Sequence, residues 1–241
     1  MGVLRSFAAA AVATFVLFVV AAQAGADAPD DHSFLLFGGT DLWRDGAFFY
    51  GGTLWSPAGR FEAEGFTLKL LLSGGGYTYP SGGLHTEVDG TLVSAAVLPG
   101  WRATRDGVSV GFYAGPAVQD YRLTPNDPGS RLRGLYGGAE FDGNIWFQLS
   151  PTMMATANGS ILSIGPTGAV RAAVGWRLFE PFYVGPEAQG IWCAEYQQLR
   201  LGAHVTGFRI EGVEWSAASG WAIESDGRSG PYVRLGFNAR Y

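Results

Sequence analysis

Four polar side chains on two neighbouring predicted strands are the first candidates for a functional site. Glu187 and Gln189 lie on one strand, and Arg200 and His204 lie on the next, with the connection near Tyr196. Side chains alternate between the two faces of a strand, so residues two or four positions apart share a face. Once the two strands pair, all four side chains are expected on one wall, facing inward.

Arg171 and Arg177 occupy the corresponding face of the preceding predicted strand. Two interpretations of this set stay open. The residues form a polar site that binds or guides a hydroxyl-rich chain, or they form a buried ion-pair network that fills a narrow barrel. A charge inside a small barrel needs partners in either case.

Glu187 is the carboxylate that we would choose first for a specific role, because it follows Gly185-Pro186. Proline cannot donate a hydrogen bond to a sheet ladder, so Pro186, like Pro116, predicts a bulge or a local break in pairing. Such an irregularity changes the direction in which the neighbouring side chain points.

The sequence offers little support for an enzyme. Its histidines, His32, His85 and His204, show no HExxH spacing, no close metal-binding set accompanies them, and no G-x-S-x-G motif occurs. We therefore predict a non-enzymatic protein without metal or cofactor. A membrane-embedded hydrolase acting on lipid or glycan is an alternative, since some barrel hydrolases use Ser and His on strands and His32-Ser33 offers such a pair.

The elements that must position these residues are predicted from composition. The chain has 37 glycines and 14% aromatic residues but only 15% charged residues, below the roughly 25% of ordinary soluble domains. After the N-terminus no apolar run is long enough for a transmembrane helix, and the apolar residues fall in short alternating segments. This distribution is typical of a transmembrane β-barrel.

We predict an all-β fold, an antiparallel transmembrane β-barrel of the outer-membrane type with about twelve strands, ten being the alternative count. Gly, Pro, Asn and Asp separate the β-prone runs. Tight turns are expected after even strands, as at residues 56–59, and longer loops after odd ones, as at 122–131. The glycines at 74–76 are interpreted as a strand end. The predicted strands are 34–41, 47–55, 61–75, 84–101, 108–120, 132–148, 152–163, 167–178, 182–195, 198–207, 213–223 and 231–241.

The last predicted strand carries the most specific signal. Its odd positions from Val233 to Tyr241 are apolar, whereas Arg234, Asn238 and Arg240 occupy the other face. One face is therefore expected to meet lipid and the other a wet lumen. Tryptophans on several strands are expected to form girdles at the membrane interfaces. These are Trp55, Trp101, Trp176, Trp192, Trp215 and Trp221.

The N-terminus predicts export. Arg5 precedes an apolar run over residues 7–22, and small residues then offer two A-x-A cleavage sites at 22–24 and 24–26. The run is shorter than the roughly 20 residues that span a bilayer. We therefore predict a signal peptide at residues 1–26 and one barrel domain at 27–241. The single cysteine, Cys193, allows no internal disulfide.

Several segments resemble one known family. Residues 183–187 (YVGPE) are followed by 197–207 (QQLRLGAHVTG), and 113–120 (YAGPAVQD) by 123–128 (LTPNDP). These segments look like the pattern of the cellulose biosynthesis protein BcsS family. The resemblance implies an outer-membrane protein associated with bacterial cellulose production, and it implies no settled molecular activity.

Taken together, the sequence predicts a non-enzymatic outer-membrane accessory of cellulose biosynthesis or secretion. A saccharide-conducting pore and a hydrolase are the alternatives. The expected partners are outer-membrane lipid, the barrel assembly machinery, and cellulose or its secretion machinery. Nucleic acid is not expected, because the net charge is −5.

Overall fold

The structure is a computed structural model that describes residues 32–57, 64–179, 182–194 and 196–241. It contains twelve antiparallel strands. They are β1 (Phe34–Trp43), β2 (Gly46–Trp55), β3 (Gly65–Ser81), β4 (Thr86–Arg105), β5 (Val108–Thr124), β6 (Gly134–Ser150), β7 (Met153–Leu162), β8 (Thr167–Phe179), β9 (Phe182–Cys193), β10 (Tyr196–Ile210), β11 (Val213–Glu224) and β12 (Ser229–Arg240).

The strands form a closed barrel, in which each pairs with its sequence neighbours and β1 pairs with β12. Phe34 and Tyr241 complete this seam, because the N–H of each donates to the carbonyl of the other at 2.8 Å. Closure leaves no unpaired sheet edge, which a membrane-spanning sheet requires. The predicted count of twelve strands is confirmed, and the alternative count of ten is wrong.

The two faces of the sheet differ as the alternation predicts. Phe112 and Leu135 point outward and are 68% and 75% exposed, whereas Leu98 points into the lumen and is fully buried. In β12 the outward Val233 and Leu235 are also exposed. An apolar exterior around a packed interior is the pattern of strands that cross a bilayer. The described residues contain no helix long and apolar enough to span a membrane.

The two ends of the barrel carry different connections. Four of the connections after even strands consist of only two residues, including Asp106-Gly107 and Glu211-Gly212, whose positive φ angles suit hairpin turns. The tight turn predicted at residues 56–59 lies partly outside the described residues, which end at Pro57 and resume at Glu64, and β3 begins at Gly65. The longest described loop, 125–133, follows β5 at the opposite end, as predicted.

Asp127 anchors loop 125–133 to the wall of the barrel. Its carboxylate accepts a hydrogen bond from the hydroxyl of Tyr79 at 3.1 Å and one from the N–H of Gly129 at 2.9 Å. Hydrogen bonding by Ser81 and by the N–H of Gly129 lowers the pKa of the Asp127 carboxyl. The carboxylate therefore keeps its charge, and with it these contacts, below the usual pKa of an aspartate.

Of two local predictions about strand geometry, the one for the glycines is wrong and the one for the prolines is confirmed. The glycines at 74–76 do not end a strand, because β3 continues through them to Ser81. The ring of Phe48 lies directly over Gly75, which has no Cβ to obstruct it. Pro116 and Pro186 produce gaps in the β4–β5 and β8–β9 ladders, but the register is the same on both sides of each gap. They cause a break in pairing without a bulge.

The six predicted girdle tryptophans all lie on the outward face according to the strand register. Trp55, Trp101, Trp176 and Trp215 lie towards the barrel end that holds Phe34 and Tyr241, and Trp192 and Trp221 lie towards the other end. Aromatic residues at both ends of an apolar band mark the two membrane interfaces. The predicted signal peptide falls on residues that the structure does not describe, and it stays a prediction.

The closing strand generates the first test. Deletion of Tyr241 combined with Phe237→Ser should lower the yield of folded barrel, because Tyr241 pairs with Phe34 and the Phe237 ring packs 5.8 Å from that of Trp215. Folded barrel is measured as the fraction that migrates differently in unboiled and boiled gel samples. Asn238→Ser, which changes the lumen face of the same strand, serves as the control. Normal yield of the double variant would contradict this account of the seam.

Candidate functional site

The structure places all six predicted site residues on the lumen face of three adjacent strands. Arg171 and Gln189 are register partners, as are Gln189 and Arg200, and Gly185 and His204. The predicted wall therefore exists. Direct contacts, however, divide its members among different partners, several of which the sequence did not indicate.

Glu187 is the centre of the wall, and its side chain is completely buried. One carboxylate oxygen, Oε2, accepts hydrogen bonds from Nε and Nη2 of Arg171 at 3.0 and 2.8 Å and from Nη2 of Arg234 at 2.5 Å. The other oxygen, Oε1, accepts from the hydroxyl of Tyr232 at 2.9 Å. A buried carboxylate is tolerated when its charge is paired and its lone pairs are satisfied. Two guanidinium groups and a phenol do this for Glu187.

Two glycines make room for the contact between Glu187 and Tyr232. One row of register partners crosses the four strands from β9 to β12. In strand order it consists of Glu187, Gly202, Gly220 and Tyr232. A Cβ at residue 202 would lie 2.4 Å from the Tyr232 hydroxyl oxygen and 2.3 Å from a backbone carbonyl oxygen. A Cβ at residue 202 would therefore obstruct the tyrosine side chain, and a Cβ at residue 220 would clash with the backbone of β10.

Arg200 is also buried, at 1% exposure, but it pairs with a different carboxylate. Its Nη1 lies 2.6 Å from both carboxylate oxygens of Asp41 on β1, and its Nε donates to Oε1 of Gln198 at 2.5 Å. The guanidinium carbon lies 5.2 Å from the ring centres of both Trp43 and Tyr232, within the range of cation–π attraction. Because β10 and β1 are three strands apart, this ion pair crosses part of the bore.

The polar chain continues from Arg200 towards the end of the barrel opposite the termini. Gln198 Nε2 donates to Glu224 Oε1 at 3.0 Å. The guanidinium of Arg228 then joins two carboxylates, because its Nη2 lies 3.4 Å from Glu224 Oε2 and its Nη1 lies 3.2 Å from Asp45 Oδ1. We call the set of residues joined by the contacts described so far, from Arg171 near Glu187 to Asp45 at the end of the barrel, the lumen network. Its members are Arg171, Glu187, Gln189, Tyr232, Arg234, Asp41, Gln198, Arg200, Glu224, Arg228 and Asp45.

The other predicted residues occupy different positions relative to this network. Gln189 accepts a hydrogen bond from Nη1 of Arg234 at 3.4 Å. Arg177 lies nearer the other end of the barrel, where its Nη2 donates to the hydroxyl of Tyr183 at 2.6 Å. His204 is 2% exposed and packs against Gly175. Within the described residues, neither ring nitrogen of His204 is hydrogen-bonded to another side chain, and the ring lies beside the backbone of Gly185.

A second ion pair crosses the bore elsewhere. Nζ of Lys69 on β3 lies 2.9 Å from Oδ2 of Asp142 on β6. The same ammonium lies 5.5 Å from the ring centres of Phe37 and Tyr113. Together with Leu98, which is fully buried, these contacts show that lumen side chains pack on each other across the interior. In the part of the chain that the structure describes, no group of three or more His, Cys, Asp or Glu could hold a metal ion.

Comparison with solved structures agrees with the barrel fold. The TodX monoaromatic hydrocarbon channel, as a deltaS2 mutant, aligns with a TM-score of 0.53 at 8% identity, covering 90% of this chain and 92% of that chain. The KdgM porin aligns with a TM-score of 0.45 at 9% identity, covering 86% of this chain and 99% of that chain. Likeness at such identity concerns the fold alone. The closed sheet of twelve strands, its apolar exterior and the likeness to TodX identify the fold as a transmembrane β-barrel of the outer-membrane type.

Sequence comparison then gives the family. The family model described as cellulose biosynthesis protein BcsS matches residues 35–241, which include almost the whole barrel. The chain belongs to the BcsS family, and the resemblance stated from its motifs is confirmed. No curated protein matches the chain.

The row of residues under Tyr232 generates the second test. Gly202→Ala should destabilise the folded barrel by about 1–3 kcal/mol, as overpacking of a tight interior does, because the new methyl displaces Tyr232 from Glu187. The measurement is the urea midpoint for unfolding in detergent. Gly190→Ala is the matched control, since a Cβ there meets only Val170 at an ordinary 3.6 Å. Equal midpoints for the two variants would contradict the proposed role of Gly202.

Proposed function

We propose that this protein is a non-enzymatic outer-membrane accessory of cellulose biosynthesis whose bore is closed by its own side chains. The family match over residues 35–241 supports the link to cellulose. The filled lumen is the observation that favours an accessory role over a conduit. In a bore wide enough for a glucan, residues such as Arg200 and Leu98 would be exposed to water, yet they are 1% and 0% exposed.

The proposed location follows from the shape and surface of the barrel. Short turns and both ends of the barrel chain share one end, which in outer-membrane barrels faces the periplasm. Loop 125–133 then faces the outside. The signal peptide predicted at residues 1–26 would direct export, and the apolar exterior between the tryptophan girdles would contact lipid.

The proposal of a non-enzymatic role rests on the surroundings of the candidate catalytic groups. A general base must lie within hydrogen-bonding reach of the group from which it removes a proton. His204 packs against Gly175, and no hydroxyl among the described residues is hydrogen-bonded to its ring. Glu187, the other candidate, already accepts hydrogen bonds from two arginines and a tyrosine. These surroundings favour structural roles for both side chains.

The third test uses a cellulose-producing host from which the gene has been deleted. Cellulose displayed on the cell surface should fall well below the parent level and should return when the wild-type chain is supplied. Glu187→Gln should reduce folded barrel, because breaking a buried ion pair costs on the order of 3–5 kcal/mol, but surface cellulose per folded barrel should stay normal. His204→Ala should leave surface cellulose per folded barrel normal as well.

Surface cellulose and folded barrel in the outer-membrane fraction are measured on the same cells. Unchanged surface cellulose after deletion of the gene would contradict the proposed function. Low surface cellulose with a normal amount of folded Glu187→Gln or His204→Ala barrel would contradict the structural role of this wall and favour a glucan path along it.

A further inference from the structure

The end of the barrel opposite the chain termini contains a cavity of about 440 Å³. Aromatic side chains of β2 and β3, namely Phe48, Tyr77 and Tyr79, line one side, and Tyr196 and Glu224 line the other. We call this cavity the vestibule. Its volume lies within the roughly 300–1,000 Å³ that is usual for small-ligand sites. Arg200 and Asp41 of the lumen network also line it, so the vestibule ends where the filled part of the bore begins.

The aromatic side of the vestibule presents stacked, half-buried rings. Tyr77 and Tyr79 have ring centres 6.1 Å apart and planes 25° apart, and Phe48 stacks on Trp43 with centres 5.8 Å apart. The face of an aromatic ring is electron-rich and attracts the weakly positive hydrogens of C–H groups. This side therefore suits a ligand whose own faces are flat and carry C–H bonds.

The rest of the vestibule wall, from the β1–β2 turn round to β10, has more hydrogen-bond acceptors than donors. Within the described residues, the buried Asp45 Oδ2 accepts no hydrogen bond, whereas Glu224 Oε2 is 3.4 Å from Nη2 of Arg228. The hydroxyl of Tyr196 lies beside the Glu224 carboxylate and is the nearest hydroxyl donor to it. Arg228 is shared among Asp45, Glu224 and Asp226. A buried acceptor without a donor is unfavourable, so a small side-chain adjustment that lets a ligand hydroxyl donate to Asp45 Oδ2 is favourable.

These two sides together define the chemistry of a ligand. It needs flat C–H faces for the rings and hydroxyl donors at its edge for the carboxylates, and it must not be anionic, because carboxylates outnumber guanidinium groups. A chain of β-1,4-linked glucose meets all three requirements, because equatorial hydroxyls leave both faces of each sugar ring to C–H bonds. A uronic acid chain carries the wrong charge, and an α-1,4-linked glucan curves away from a flat contact.

We propose that the vestibule binds a short stretch of unbranched β-1,4-linked glucose. This inference rests on the proposed function and deepens it, because it names the place where the accessory protein meets its polysaccharide. In the proposed orientation the vestibule faces the outside of the cell. A glucan would be held at the mouth of the barrel and would not pass through it.

The fourth test is a titration of the purified, folded protein with defined oligosaccharides. A detergent without a sugar headgroup is required, because alkyl glucosides and maltosides would compete. Isothermal titration calorimetry should show saturable binding of cellopentaose, and binding of maltopentaose and of pentagalacturonate should be at least about tenfold weaker. Absence of saturable cellopentaose binding, or equal binding of all three sugars, would overturn the proposal.

Three variants locate the binding. Phe48→Ala should weaken cellopentaose binding roughly tenfold through the loss of a stacking face. Tyr196→Phe keeps its ring and loses only the hydroxyl, so it should fold normally and bind more weakly. Phe49→Ala, the neighbouring change on the outward face of β2, is the control and should bind like the wild type. Wild-type affinity in folded Tyr196→Phe and Phe48→Ala, or an equal loss in Phe49→Ala, would overturn the assignment to the vestibule.

The titration tests the vestibule proposal and the assay of surface cellulose tests the proposed function, so either proposal can be contradicted without the other. Folded protein that binds no cellopentaose, in a host whose surface cellulose still depends on the gene, would remove the vestibule proposal and leave the proposed function intact. Saturable binding in a host whose surface cellulose is unaffected by deletion would instead contradict the proposed function.

Discussion

Glu187 places a negative charge in the middle of the barrel, and much of the interior is arranged to accommodate it. Its carboxylate can remain buried only with positive partners in contact, and these come from Arg171 on β8 and Arg234 on β12. The contact between β9 and β12 spans two intervening strands, so it requires one particular register across four strands. Tyr232 reaches the same carboxylate over Gly202 and Gly220, which ties the glycine content of these strands to the burial of one charge.

The same arrangement recurs around the lumen and explains the unusual composition. Trp43 lies against Gly46, Phe37 against Gly52 and Tyr77 against Gly90, each at a distance that a Cβ would not permit. Aromatic rings thus lie flat on glycines of neighbouring strands and fill the bore. The remaining lumen charges pair across it, as in the ion pairs Arg200–Asp41 and Lys69–Asp142. Few charges are needed elsewhere, because the exterior is apolar.

The sequence alone predicted much of the fold because alternation is a local property. The outward position of Val233 and the inward position of Arg200 follow from strand parity, and both are observed. Partners such as Asp41 could not be predicted, because the stagger that brings β1 level with β10 is set by closure of the whole sheet. Gly75 was misinterpreted for a related reason: a glycine that ends a strand and one that lies beneath Phe48 look alike until the neighbouring strand is known.

We propose that this BcsS-family barrel serves cellulose biosynthesis with its bore closed, and that its contact with the polysaccharide is confined to the mouth. Conductance of the purified wild-type protein in planar lipid bilayers shows whether the bore is closed. We expect insertion without the steady, uniform current steps of an open pore, because the lumen network and the packed rings fill the described part of the bore. Stable current steps that cello-oligosaccharides block would contradict it and would identify the barrel as a saccharide channel.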